Sequence, residues 1–377
     1  MSISAGNVTE LVTQLQAQQA TKYDVVAPAS QLHADGGMIG VRGGKTTLSL
    51  DGVTAETQWL QPNDTFDSHI AGRLGIPVRY VRTMRDGHTE LWDQNVNYWL
   101  KDQPQRKFLL RAFRSESSND PGIARALLSD RYRFFDNLDA TMAVLDGLNR
   151  SGLAGATTIT GADITDDKLF VRIEAPSVAV NAEWLLDGYR SPYRRDVNGT
   201  DLPMVWAGFV MKNSETGGGA FTIVPRLVVE ICTNGMQMGE NLFREVHLGS
   251  TMDEGMIRWS DATTSAMTEL VAAKTADVVT TVLSEQFVAD RLEELRASRG
   301  VTLTTPQSTI VTVGKNLGFS DREQEDILAA FIGSGDPTAF GVTQAITAAC
   351  QQWAPARRDD AEAVAVKAGA LCAAAAV

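Results

Sequence analysis

The chain has 377 residues, 44% hydrophobic and 21% charged, with a formal net charge of −12. This is the composition of a soluble globular protein longer than one hydrophobic core usually grows, so two domains, or one core with a helical appendage, are expected. It excludes a surface coated with positive charge, and no run approaches the roughly 18 consecutive apolar residues of a membrane span.

Cys232, Cys350 and Cys372 are widely separated, and no CxxC or His-x-x-x-His spacing joins them to His33, His69, His88 or His247, which speaks against a disulfide framework or a structural zinc site. They read as small core residues or a tail thiol. No cofactor is expected.

Residues 4–20 place Val8, Leu11, Val12 and Leu15 at helical spacing and predict a short amphipathic helix. The same segment lacks the basic start and apolar centre of a signal peptide, so a cytoplasmic location is expected, and no membrane partner. From Tyr23 to about Leu60 the pattern changes to short strands and turns. Within it GGKTT at 43–47 resembles a phosphate-binding loop. The spacing fails, because Ile39 stands where the pattern requires glycine and alternating TTLSLDG follows where a helix should begin. A β-turn is expected there.

Residues 66–99 turn helical, with Asp67 or Ser68 as a cap, Gly75 as a stop and Pro77 opening the next helix. Lys107 to Arg114 alternates as a strand, and Asp136 to Leu148 is a helix by its Leu138, Met142, Leu145 and Leu148 spacing. Residues 156–180 hold two strands around Asp163, Asp166 and Asp167. Clustered carboxylates are what a hard cation requires, but here a solvated hairpin tip is expected. Residues 182–199, a long connection, carry Arg190, Arg194 and Arg195.

Residues 203–236 predict the central hairpin: an alternating strand, the polar turn NSETGGG at 213–219, and a return strand apolar on nearly every position, hence covered on both faces. With no Gly or Pro over 256–299, a continuous helix is expected from about Asp253 to Ser298. Ser320 with Glu323 forms a capping box, Asp336 with Pro337 starts a further helix, and residues 360–377 are helical by their alanine content. The expected fold is α+β: an antiparallel sheet core with a long helix packed on it and a helical C-terminal region. The expected division is 1–60, an N-terminal helix and small β region; 61–300, the α+β core domain; and 301–377, the helical C-terminal region.

Charge is uneven along the chain. Between Arg73 and Arg133 twelve Lys/Arg stand against seven Asp/Glu, interleaved with Tyr80, Trp92, Tyr98, Trp99, Phe108, Phe113 and Tyr132. Basic residues among aromatics form either a groove that attracts phosphates and stacks bases, or a basic-surfaced helical unit with an aromatic core. On the first reading Arg106, Lys107, Arg111, Arg190, Arg194 and Arg195 contact phosphates, and Trp92, Trp99 and Phe113 are stacking platforms.

A series of local patterns adds to this: RALLSDRYRFFDN at 125–137, LFVRIEAPS at 169–177, PRLVVEICTNGM at 225–236, HLGS at 247–250 and TAFGVTQAIT at 338–347. In their order they resemble the domain of unknown function 932 family, the phage/plasmid-like proteins of bacteria and bacteriophages. Where that family shows Arg-His-Thr-Gly, this chain has Val246, His247, Leu248 and Gly249. The resemblance implies a phage or mobile-element origin, hence a host bacterial cytoplasm, and it implies no established activity.

The expected function is single-stranded DNA binding of the annealing type used in DNA recombination, with a homo-oligomer as the assembled form. Two alternatives stand beside it. One is a structural or host-factor-binding phage protein acting by assembly. The other is an enzyme, for which the sequence offers only Cys232 with His247, or Asp130 with Asp136; no metal or catalytic motif supports it.

Overall fold

A computed structural model describes residues 3–50, 52–115, 117, 120–132, 134–192, 196–231, 234–238, 243–245 and 261–376. Arg194, Arg195, Cys232, His247 and the first residues of the expected long helix lie outside the described residues. Strand β1 (Ile3–Ala5) leads into helix α1 (Val8–Thr21), then β2 (Lys22–Pro28), β3 (Leu32–Asp35), β4 (Met38–Ser49) and β5 (Gly52–Pro62). Three helices follow, α2 (Asp64–Leu74), α3 (Val78–Gly87) and α4 (Thr89–Asp102), then β6 (Lys107–Phe113), β7 (Gly122–Ser129) and α5 (Asn137–Arg150). Next come β8 (Thr158–Ile164), β9 (Leu169–Asn181), the single turn α6 (Glu183–Leu186), β10 (Met204–Asn213), β11 (Phe221–Val229), β12 (Gly235–Gln237) and β13 (Phe243–Glu245). The chain closes with α7 (Asp261–Val282), α8 (Glu285–Arg299), α9 (Pro306–Asn316), α10 (Asp321–Ser334), α11 (Ala339–Ala349) and α12 (Pro355–Ala376).

These elements build two sheets and a helical C-terminal region, the α+β architecture expected. The first sheet is antiparallel, in the order β1-β8-β9-β10-β11-β12 with β13 also on β11. The predicted hairpin, β10 and β11, lies inside it, and every residue of β11 is buried, as its unbroken apolar run requires. Val205, Ala207, Phe209 and Met211 point into a core shared with α1, α5, α7 and α8.

The second sheet runs β2-β6-β7-β5-β4-β3 and draws strands from both sides of residue 60. Its one parallel pair is β5 with β7, joined by a crossover through α2, α3 and α4. Those helices seal one face, where Phe66, Ile70, Val81, Met84, Trp92 and Val96 meet Phe108, Leu110, Ala112 and Leu127.

Several expectations are corrected. The run 253–298 is not one helix: Ser284 adopts extended backbone and its side chain accepts the Phe287 N–H, so α7 ends and α8 begins there without Gly or Pro. GGKTT lies within β4, where Gly43, at φ 70°, sits in a register shift between Val41 and Lys45; a bulge replaces the expected turn. Beyond it the β4–β5 hairpin leaves the body of the sheet, with Leu48 82% and Leu50 107% exposed at its tip. The acidic turn is only partly solvated: Asp166 and Asp167 are half-buried. Asp163 is buried and paired with Arg172 at 2.7 Å and with Arg358, while Asp167 accepts hydrogen bonds from Ser214 and Thr216.

The first half of the polar turn, Asn213 to Thr216, is buried because it enters the junction between the sheets, while Gly217 to Gly219 stay exposed. There Arg111, on β6 and 1% exposed, donates to Asp24 at 3.1 and 3.0 Å, to Asp136 at 2.7 Å and to the Glu215 carbonyl, while the Phe134 ring lies 3.5 Å from its guanidinium carbon. Lys22 also donates to Asp136. Glu215 pairs with Arg125 at 2.6 Å and accepts the Asn137 N–H at 2.9 Å. Burial opposes the charge on Arg111 and on Asp136. Each partner restores the other: Asp136 and Asp24 hold Arg111 above its ordinary value, and Arg111 and Lys22 hold Asp136 below the usual carboxylate range.

Two predictions follow from these buried charges. Arg111→Ala leaves Asp24 and Asp136 to share Lys22 and should cost about 3–5 kcal/mol in urea denaturation, whereas an unchanged midpoint would show the network to be dispensable. The second concerns Asp67 on α2, which is fully buried with Arg85 2.7 Å away but outside hydrogen-bonding geometry. Burial pushes its carboxyl up to about 6, Arg85 offsetting only part of this. Folded Asp67 therefore holds its proton more tightly than the unfolded chain does. The stability it contributes is full below its ordinary value of 3.8 and is lost as the pH rises through about 6. The loss is on the order of 3 kcal/mol. Thermal melts of Asp67→Asn across that window should lack the decline, and a parallel profile for both proteins would refute the assignment.

Candidate nucleic-acid interface

Of the nine residues expected to meet nucleic acid, seven lie among the described residues, and the structure separates them. Arg111 is internal, its guanidinium spent on Asp24, Asp136 and Glu215, so it is not a phosphate contact. Trp92 is fully buried in the core beneath α4 and has no face to offer a base. Phe113 is half-buried with the Arg125 guanidinium over its ring at 4.1 Å, which occupies its stacking face. Lys107 is exposed and heads β6, in the row opposite Phe108, Leu110 and Ala112. Arg190 is exposed on the connection after α6; its N–H donates to the Ser334 carbonyl, and it lines a separate cavity of about 550 Å³ with Ser191, Asp326 and Gln352.

Arg106 and Trp99 remain, and these two share a site. Helix α4 ends at Asp102, and the following turn is tied down by backbone bonds from Arg106 to Gln103, from Ser30 to Pro104 and from Ala29 to Arg106. From the other side α2 stops at Gly75, which takes the left-handed conformation at φ 72° that closes the helix with a bond to Ala71. Arg73 lies in that last turn. Between the two helix ends and the start of β6 is a cavity of about 270 Å³, lined by Arg73, Trp99, Asp102, Gln103, Arg106 and Phe108 together with Ala29, Leu74 and Leu100.

The electrostatics of this cavity differ from those of the buried junctions. Arg111, Arg125 and Arg172 each face a carboxylate, but among the described residues none pairs with Arg73 or Arg106. Among the described residues the Arg106 side chain donates to the Gln103 amide oxygen, at 3.3 Å, and lies 5.1 Å from the Phe108 ring. Arg73 is half-buried, and burial and the Arg106 guanidinium both push it down from its ordinary value. Two like charges held together at the edge of a pocket of mixed polar and apolar lining are stabilised by an anion. Trp99, 41% exposed, stands at the rim with Tyr98, 70% exposed, edge-on to it at 5.7 Å.

Arg73 is the residue the sequence did not single out as a contact. A basic residue in the last turn of a helix before glycine reads as a partner for the helix dipole, and nothing local says that Arg106, 33 positions on, faces the same space. Among the described residues no cluster of His, Cys, Asp and Glu is arranged to hold a metal ion. Cys350 and Cys372 are buried, unpaired thiols, both pushed up by burial. Asp136, one half of a candidate catalytic pair, is committed to Arg111 and Lys22. Among the described residues no helix is long and apolar enough to cross a membrane. Comparison with protein-family models, with curated proteins and with solved structures gives no match.

Proposed function

We propose that the chain binds single-stranded nucleic acid, through a surface centred on Arg73, Arg106 and Trp99, and acts by binding in the DNA metabolism of a phage or mobile element. The origin is the one implied by the family resemblance. The single observation that supports the activity is the pair of carboxylate-free arginines converging on one cavity with an exposed tryptophan at its rim. Guanidinium groups bind phosphate oxygens with two parallel donors, and an exposed indole stacks any base without reading its sequence. Because the whole chain carries −12, attraction of a polyanion depends on this local surface and falls steeply with salt.

A specific observation favours a second reading, assembly of copies of the chain. The β4–β5 hairpin displays Leu48 and Leu50 to solvent, and Ile332, 71% exposed, borders an apolar groove between α9 and α10 with Val311 and Leu328. Apolar residues at the end of a projecting arm are stabilised by burial against another surface. The two readings are compatible, since strand-annealing proteins act as multimers.

Fluorescence anisotropy with a labelled DNA oligonucleotide at low salt tests the first reading. Trp99→Ala should weaken binding by about 5- to 100-fold, the range set by loss of one stacked base. Arg73→Gln with Arg106→Gln should weaken it further and flatten the salt dependence. Wild-type protein that gives no anisotropy change sinks the proposal. For assembly, light scattering of Leu48→Ser with Leu50→Ser should show a smaller mass than wild type, and equal masses would exclude the arm as the contact.

A further inference from the structure

The cavity beside Trp99 is small for a passing strand. At about 270 Å³ it lies below the range of roughly 300–1,000 Å³ that holds a drug-sized ligand, so it accommodates a head group rather than a run of nucleotides. Its walls divide by chemistry: Leu74, Leu100 and Phe108 are buried and apolar, whereas the polar donors come from Arg73 and Arg106. Arg73 is half-buried, so a group that reaches it must enter the cavity rather than lie across its mouth.

An internal phosphodiester fits this poorly. It carries one negative charge and two esterified oxygens, and its flanking sugars must both leave the site. A terminal phosphomonoester carries about −1.5 to −2 charges at neutral pH, presents three free acceptor oxygens and continues into the chain on one side only. Two guanidinium groups without carboxylate partners match that charge and supply paired donors to all three oxygens. The one carboxylate in the lining, Asp102, is exposed, and the charge that acts on Arg73 is that of Arg106. The C-terminal ends of α2 and α4 both border the cavity, and their partial negative charge disfavours a weakly held anion, which a second guanidinium offsets.

Resting on the nucleic-acid reading above, we infer that the Arg73–Arg106 cavity is an end-recognition site, which takes the terminal phosphomonoester of a DNA strand and stacks the adjoining base on Trp99. Recognition of an end places the protein at strand termini, where an annealing protein loads without threading.

The test compares three labelled oligonucleotides of one sequence, carrying a 5′-phosphate, a 3′-phosphate or hydroxyls at both ends, against the full chain at one salt concentration. A terminal phosphate is expected to tighten binding at least about tenfold, the gain of one additional charge-assisted contact pair. Preference for the 5′ or the 3′ form identifies the end, and an equal gain from both also supports the site. The ratio of phosphate-ended to hydroxyl-ended affinity should fall to about one in Arg106→Gln, an exposed substitution that leaves the core untouched, and in Arg73→Gln, with Arg73→Lys restoring part of it. Equal binding of all three oligonucleotides by wild type would overturn end recognition while leaving strand binding in place; absence of binding to any of them would overturn both. An unchanged ratio in both arginine variants would place the phosphate elsewhere and overturn the assignment to this cavity.

Discussion

The junction between the two sheets depends on one buried cation. Arg111 projects from the face of β6 that α2–α4 do not cover, and a charge in that position is tolerable only if carboxylates arrive from elsewhere in the chain. They come from β2 as Asp24 and from the start of α5 as Asp136, and the turn between β10 and β11 adds the Glu215 carbonyl. Four segments far apart in sequence thus meet at a single guanidinium. Arg125 with Glu215 repeats the pattern beside it, so the polar turn of the first sheet is held inside the second by charge rather than by apolar contact. Such an arrangement is selective about geometry, since a small displacement leaves charges unpaired in a poorly solvated space.

The same principle holds the C-terminal region. Helix α12 faces the first sheet with Asp359, which takes Lys212 and Gln237 at 2.7 Å each, and with Arg358, which shares Asp163 with Arg172. Arg226 of β11 lies buried between Glu174 and Glu362, at 3.8 and 3.9 Å. It lies flat over Gly235, where a Cβ would fall 1.6 Å from its Nη2. That close approach, not a special backbone angle, is why glycine stands at 235. One face of the sheet is therefore conventional, with Val205, Phe209 and Met211 in an apolar core, and the other sets paired charges among the buried Val210, Val224 and Val228.

Against this background the cavity at Arg73 and Arg106 stands out by contrast. Where arginines sit in the junctions, as Arg111, Arg125, Arg172 and Arg226 do, each faces a carboxylate. At the edge of the second sheet two arginines lack them and are joined by an exposed tryptophan. Both helices that frame the cavity are anchored by the apolar core beneath, with Leu74 and Leu100 buried just short of the opening. The site is thus formed by rigid helix ends, and the groups that meet solvent are those with chemistry to offer.

The elements were largely legible in the sequence because local rules govern them. The capping box at Ser320 and Glu323, the period-three-and-four apolar run of α5 and the unbroken apolar run of β11 are properties of neighbours along the chain, and the structure has each of them. The break at Ser284 was also local, but a serine cap without Gly or Pro is a weaker signal than an apolar stripe running on both sides of it. The fate of polar side chains could not be read in this way. KFLLRAFR shows that Arg111 and Phe108 lie on opposite faces of a strand, yet not that one face meets buried carboxylates and the other a helical layer. Composition and periodicity determined that this chain would be an α+β protein with β10 and β11 at the centre of a sheet. Tertiary structure alone decided which arginines are internal and which face solvent, because a charge is assigned to one role or the other by partners brought to it from distant segments.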